Sequence, residues 1–236
     1  MDITLVFDYD GTLHNTLRIY ERAFRQCYQW LVSEGHVAEQ SVSTERISGW
    51  LGMNSKEMWN SFQPGLPADI KEKAENIIGA SMVEQIINNK ASWYKGTDFV
   101  LDELKKMGYN MVVLSNCKTA YKEVNWKQFS MAQWFSKFYD CETFDFAPKT
   151  EIIKTVRKEN PGEFIVIGDR DSDFDCARAC GAKFIGCLYG FGEDGELQGA
   201  DEVIHSINDL PDKIKMLREY MLSLIHISEP TRRRGI

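Results

Sequence analysis

The sequence predicts an α/β fold, a doubly wound parallel sheet interrupted by one inserted all-helical segment. Three features predict it. Short apolar runs at residues 3–7, 111–114, 164–167 and 184–188 carry no alternating polar positions, which suits strands covered on both faces. Helical patterns separate the runs, which suits parallel strands joined by right-handed crossovers. Between the first run and the second, residues 14–94 hold no strand signal.

Taken in order, the first run ends at Asp8, and Asn15 is placed to cap the helix that follows. Leu17, Tyr20, Phe24, Cys27, Tyr28 and Leu31 recur at helical spacing, and Gly35 ends the helix. Residues 46–53 form a glycine-punctuated turn. A second helix over about 67–88 carries Ile70, Ala74, Ile77, Ile78 and Ile86. The pattern then changes. An amphipathic helix over 99–107 stops at Gly108, and the strand 111–114 ends at Ser115. A helix over about 149–158 precedes the strand 164–167, which ends at Gly168 and Asp169. A helix holding Ala177 and Ala179 stops at Gly181, before the strand 184–188. A last helix over about 208–221 sets Leu210, Ile214, Leu217 and Met221 along one side. This assigns residues 1–13 and 95–221 to an α/β catalytic core and 14–94 to a helical cap. The stretch from Leu222 to Arg232 resembles a translated sequencing adapter, so 222–236 is read as a non-native tail and left out of the fold.

Composition narrows the function classes. The chain has 236 residues, 43% hydrophobic and 27% charged, ordinary for a globular protein. No apolar run approaches the ~18 residues of a membrane helix. The N-terminus enters a strand directly, with no basic region or cleavage site, so no signal peptide is expected. The net charge of −7 repels nucleic acid and anionic membranes, and neither is expected as a partner. Six cysteines show no CxxC pair, which points to free thiols in a reducing cytoplasm. Cys176 and Cys180 lie one helical turn apart, but two ligands do not make a zinc site.

In open parallel sheets, ligands bind beyond the carboxyl ends of the strands. Three runs end there in polar residues: Asp8-Tyr9-Asp10-Gly11-Thr12-Leu13, Ser115-Asn116, and Gly168-Asp169 continuing to Asp173. Lys149 starts the helix between the second and third. At the turn after a strand, one of Asp8 and Asp10 can attack while the other reaches past it. Gly11 lets backbone amides approach an anion closely. A carboxylate is ionised at neutral pH and can attack phosphorus, provided a hard cation offsets its repulsion from phosphate. Asp169 and Asp173 supply oxygens suited to Mg²⁺. Lys149 adds a fixed positive charge, and Ser115 a hydroxyl donor to a phosphoryl oxygen. Asp171 and Asp175 read as helix N-terminal charges. His14 reads as structural.

These residues resemble the four motifs of the haloacid-dehalogenase-like hydrolases, in order and rough spacing, across residues 3–221. An Asp-x-Asp-Gly-Thr string alone arises by chance in about one chain in a thousand. The runs Tyr189-Gly190-Phe191-Gly192 and Gly199 to Ile204, with the helical insert, resemble phosphoglycolate-phosphatase-like members with a small helical cap. The resemblance implies a Rossmann-like core and an Mg²⁺-dependent phosphatase acting on a small phosphorylated metabolite. Asp8 would form an aspartyl-phosphate, and Asp10 would serve as general acid and then base. The metal would be held by Asp8, the Asp10 backbone carbonyl and Asp169, with Asp173 close by or acting through water. Gly11 and Asn116 would contact the phosphate. Arg46 and Lys56, in the cap loop, are candidates for reading a second anionic group. Many relatives carry Asp where Asn15 stands, and proline where Thr150 stands, which weakens placement within the family rather than activity. A phosphomutase keeps the same motifs. A non-catalytic phosphate- or metal-binding regulator is expected to lose Asp8 or Asp169, and both remain. A dehalogenase needs no acid where Asp10 stands.

Overall fold

The computed structural model describes residues 2–53, 55–160, 162–193 and 195–228, the last five as backbone alone. Its centre is a parallel sheet of six strands: β1 (Ile3–Phe7), β2 (Asn110–Ser115), β3 (Lys137–Asp140), β4 (Glu163–Gly168), β5 (Lys183–Cys187) and β6 (Glu202–Ile204). They lie in the order β3-β2-β1-β4-β5-β6, and every neighbouring pair is parallel. The chain builds outward from β1 through β2 to β3, then returns to β4 on the other side. The reversal falls between β1 and β4, where such sheets open a crevice for ligands.

The centres of β1, β2, β4 and β5 are mostly apolar because both faces of the sheet are covered. On one face Leu5 and Phe7 pack with Leu101 and Leu104 of α5 (Thr97–Lys106), Tyr121 of α6 (Thr119–Gln128) and Ile214 of α9 (Leu210–Ser228). Val6, pointing the other way, packs with Ile152 and Val156 of α7 (Lys149–Glu159) and Ala177 of α8 (Asp171–Cys180). Each large side chain so buried contributes about 1.5–3 kcal/mol.

Between β1 and α5 the chain leaves the sheet and forms α1 (Leu17–Ser33), α2 (Thr44–Ser48), α3 (Ser55–Phe62) and α4 (Ala68–Ile87). These helices bury their own apolar cluster. Its centre is an aromatic trio, with Phe24 5.0 Å from Trp50 and 5.1 Å from Phe62, and Trp50 5.1 Å from Phe62. The two chain crossings into this insert run side by side. The Asn15 amide donates to the Ser92 carbonyl at 3.1 Å and the Tyr94 amide to the Leu13 carbonyl at 2.9 Å. Among the described residues no helix is long and apolar enough to cross a membrane.

Several elements differ from expectation. Strands β3 and β6 have no counterpart in the sequence reading, because each is a short edge strand of four or three residues with charged or polar ends. Helix α6 buries only Tyr121 and Asn125, so its pattern was too polar to read. The 46–53 segment is a turn only in its second half; its first residues close α2, and α3 follows. Asn15 does not cap α1, which starts at Leu17 behind Thr16 and has no side-chain cap, because the Thr16 hydroxyl is directed to Asp10 instead. Helix α9 continues to Ser228 rather than ending at Met221. The rest of the expected tail, 229–236, lies outside the described residues.

Candidate active site

Asp8 follows β1 directly, and its amide donates to the Ile167 carbonyl at 2.8 Å, carrying the ladder one residue beyond the strand. This places its carboxylate at the sheet's open edge between Ser115 and Asp169. Lys149, the first residue of α7, reaches in from the side. Its ammonium donates to Asp8 Oδ1 and, at 2.6 Å, to Asp173 Oδ1. The Thr12 hydroxyl lies 3.5 Å from Asp8 Oδ2 and 3.2 Å from Asp169 Oδ1. The Phe191 amide donates to Asp169 Oδ2 at 2.6 Å. Asp8, Lys149, Asp169 and Asp173 are all buried.

One oxygen from each of Asp8, Asp169 and Asp173 lies within 4.8 Å of the other two. Burial pushes the Asp8 carboxyl well above the ordinary range, opposed by Lys149. Burial, then the charge of Asp173, pushes Asp169 up to about 7. Burial works against the charge on Lys149, yet Asp173 and Asp8 together hold its pKa above the usual lysine value. Three buried carboxylates therefore share one ammonium, and the cluster is short of positive charge. An all-oxygen donor set with that deficit suits a hard divalent cation of the Mg²⁺ kind.

Asp10 turns away from this cluster. Its Oδ1 accepts from Thr16 Oγ1 at 2.5 Å and from Tyr121 Oη at 2.7 Å, and lies 3.4 Å from His14 Nδ1. Asp8, Asp10, Ser115, Asn116, Lys149 and Asp173 all line one cavity of about 210 Å³ between the sheet edge and the helical insert.

Three of the expected substrate contacts lie outside this cavity. The Gly11 amide donates to the His14 carbonyl at 2.9 Å and is spent. Glycine is needed there for another reason: φ is +94°, and a Cβ would collide with the Asp169 carboxylate. Arg46 is exposed, its guanidinium 5.6 Å from the Trp50 ring centroid and 5.8 Å from that of Phe62, and it does not line the cavity. Lys56, on the first turn of α3, is likewise exposed and outside it.

Other residues take part without having been anticipated. The Arg170 guanidinium donates to the Leu51 carbonyl and, at 2.9 Å, to Glu196 Oε2. Asn116 Nδ2 donates to the Gly52 carbonyl at 3.3 Å. A Cβ on Gly52, whose φ is +88°, would come 2.9 Å from Arg170 Cγ. The loop after α2 is therefore fastened to the sheet edge by two core side chains. Lys118, just past the Ser115-Asn116 pair, bonds to Glu75 of α4 at 3.0 Å and bridges core to insert. Arg170 had a signal in its position beside Asp169; Thr16, Glu75 and Tyr121 had none.

Residues 5–187 match the model of the haloacid dehalogenase-like hydrolase family, and the chain belongs to that family. It is thus a hydrolase built on this fold. It is 23% identical over 228 residues to a phosphoglycolate phosphatase of Pectobacterium atrosepticum, covering 87% of this chain and 89% of that one. A haloacid dehalogenase-like family hydrolase from Streptococcus pneumoniae superposes with a TM-score of 0.74 at 21% identity, covering 90% of this chain and 98% of that one. CbbY from Rhodobacter sphaeroides, solved in complex with phosphate, superposes with a TM-score of 0.73 at 19% identity, covering 89% and 96%.

Proposed function

We propose that this hydrolase cleaves the phosphate monoester of a small metabolite, with Mg²⁺ bound, through an aspartyl-phosphate on Asp8. The observation that carries the reading is the buried cluster of Asp8, Lys149, Asp169 and Asp173 opening, together with Asp10, into one cavity. The relative named phosphoglycolate phosphatase supports a phosphate ester as substrate.

A carboxylate oxygen of Asp8 attacks phosphorus, forming the O–P bond of an acyl phosphate as the bond from phosphorus to the substrate oxygen breaks. Asp10 gives its proton to the departing oxygen, then takes one from the water that attacks the aspartyl-phosphate. That second step returns the Asp8 carboxylate and releases phosphate. Lys149 and the Ser115 hydroxyl face the transferring oxygens and stabilise their charge. Asp8, the Asp10 backbone carbonyl and Asp169, with Asp173 beside them, would hold a divalent cation, which would offset the negative charge of the phosphoryl group and the carboxylates. Residues 14–94 serve as a cap over a core of 1–13 and 95–221, hinging near 13–16 and 91–96 and excluding water when shut.

The test is turnover of p-nitrophenyl phosphate with Mg²⁺, and of an alkyl phosphate whose leaving alkoxide needs a proton. Asp8→Asn abolishes both, with an unchanged circular-dichroism spectrum. Asp10→Asn slows the alkyl ester by roughly 10²- to 10⁴-fold. Asp8→Asn keeping over a tenth of the wild-type rate would place the nucleophile elsewhere. Full turnover in excess EDTA would remove the metal from the mechanism.

A further inference from the structure

The wall of the active-site cavity specifies what the phosphate is attached to. Opposite the carboxylates stand Tyr20 of α1, Trp50, Met58 of α3, and Ile78 and Met82 of α4. These are apolar or aromatic, and they come from the insert. An apolar cavity of ~150 Å³ admits benzene. The cavity here, about 210 Å³ and open on one side, therefore has room for at least a phosphoryl group and one ring.

Among the described residues three cations line this cavity, and each already has an acidic partner. Lys149 lies between Asp8 and Asp173. Lys118 is paired with Glu75 at 3.0 Å. Arg170 is bound to Glu196 and to the Leu51 carbonyl. A second anion on the substrate would leave water, meet no free cation, and face the Glu75 carboxylate. Desolvated charge without a partner is strongly disfavoured. A ring or a branched carbon chain would instead gain contact with the aromatic and aliphatic wall.

We propose that the alcohol released by this site is uncharged and largely apolar, about the size of one ring. The proposal rests on the phosphomonoesterase reading above. It separates this chain from its phosphoglycolate phosphatase relative, whose named substrate carries a carboxylate beside the phosphate.

The experiment measures kcat/KM of the full chain with Mg²⁺ on benzyl phosphate, methyl phosphate and phosphoglycolate. Benzyl phosphate is preferred over phosphoglycolate by about 100-fold or more, and over methyl phosphate by about 10-fold or more, the scale at which apolar pockets discriminate. Glu75→Gln frees the Lys118 ammonium and narrows the benzyl-to-phosphoglycolate ratio by about 10-fold, the worth of one charged hydrogen bond. Met82→Lys, which adds a cation to the wall, shifts the ratio in the same direction. Hydrolysis with phosphoglycolate equal or preferred, or with methyl phosphate equal to benzyl phosphate, overturns the inference and leaves the phosphomonoesterase reading standing. A folded protein that hydrolyses none of the three esters, nor p-nitrophenyl phosphate, overturns both.

Discussion

The Tyr121 hydroxyl donates to Asp10 Oδ1 at 2.7 Å, across 111 residues of sequence. Thr16 donates to the same oxygen at 2.5 Å. Both hydroxyls also lie 2.9 Å from His14 Nδ1, which suits the tautomer that carries its proton there. Every hydrogen bond that the Asp10 side chain makes among the described residues falls on Oδ1. Oδ2 accepts none of them, and in the mechanism proposed above it is the oxygen that would serve the leaving group and the attacking water.

Loss of the Tyr121 or Thr16 hydroxyl lets the Asp10 carboxyl rotate away from that pose. Tyr121→Phe and Thr16→Val each lower kcat on an alkyl phosphate by roughly 10- to 100-fold, the worth of one hydrogen bond to a charged group. KM changes little, since neither hydroxyl is needed to hold the phosphate. Thr16→Ser, which keeps the donor, restores most of the rate. Steady-state kinetics decide it: if Tyr121→Phe leaves kcat unchanged, Asp10 does not depend on this network.

Arg170 ties the Leu51 carbonyl to the core, and its removal loosens the insert at the loop over the cavity. Arg170→Ala raises amide exchange across residues 46–56 by several-fold and raises KM more than it lowers kcat. Hydrogen-exchange mass spectrometry checks this directly. Unchanged protection in that loop would show that other contacts keep it shut.

The edge that carries the candidate site was legible because its signals are local. Asp8, Ser115 and Asp169 each follow an apolar run, and Lys149 opens a helix, so strand ends and chemistry coincide in sequence. The pairings of Tyr121 with Asp10, Lys118 with Glu75, and Arg170 with Leu51 were not legible. Each joins insert or turn to a distant element, and none leaves a pattern in its own neighbourhood. Arg46 and Lys56 drew attention as cations in a loop, but charge alone does not tell which way a side chain points. Gly11 was rightly singled out for its freedom, but what demands it is the crowding of Asp169.

Asp140, buried at the end of β3, organises the start of α6. It accepts from Lys122 Nζ at 2.6 Å, Thr119 Oγ1 at 2.9 Å and the Thr143 amide at 2.9 Å. Burial favours its neutral form, but these hydrogen bonds, led by Lys122, outweigh burial and hold its pKa below the ordinary value. A depressed folded pKa stabilises the protein above the unfolded value, about 4. The stabilisation is lost as pH falls through the lower, folded value. Asp140→Asn costs about 1.5–3 kcal/mol at pH 7. The gap to wild type closes as the pH falls from 5 toward 3. Denaturant midpoints across that range are the measurement, and a gap independent of pH would mean that the carboxylate's charge is not its source.

Residues 222–236 are dispensable for folding and turnover. Helix α9 docks through Leu210, Ile214 and Leu217, all buried and all before residue 222. Beyond them its contact with the core weakens. Tyr220 is half exposed, Met221 and Leu222 only partly covered, and Ser223 exposed. The helix backbone continues to Ser228, and helix propensity alone contributes little to stability. Among the residues whose burial is described, ending the chain after Met221 removes one partly buried leucine, worth about 1 kcal/mol or less. Denaturant midpoints and benzyl phosphate turnover of the shortened chain give the answer. A loss well above ~1 kcal/mol, the usual size of a single-residue effect, or a fall in turnover, would make these residues a working part of the fold.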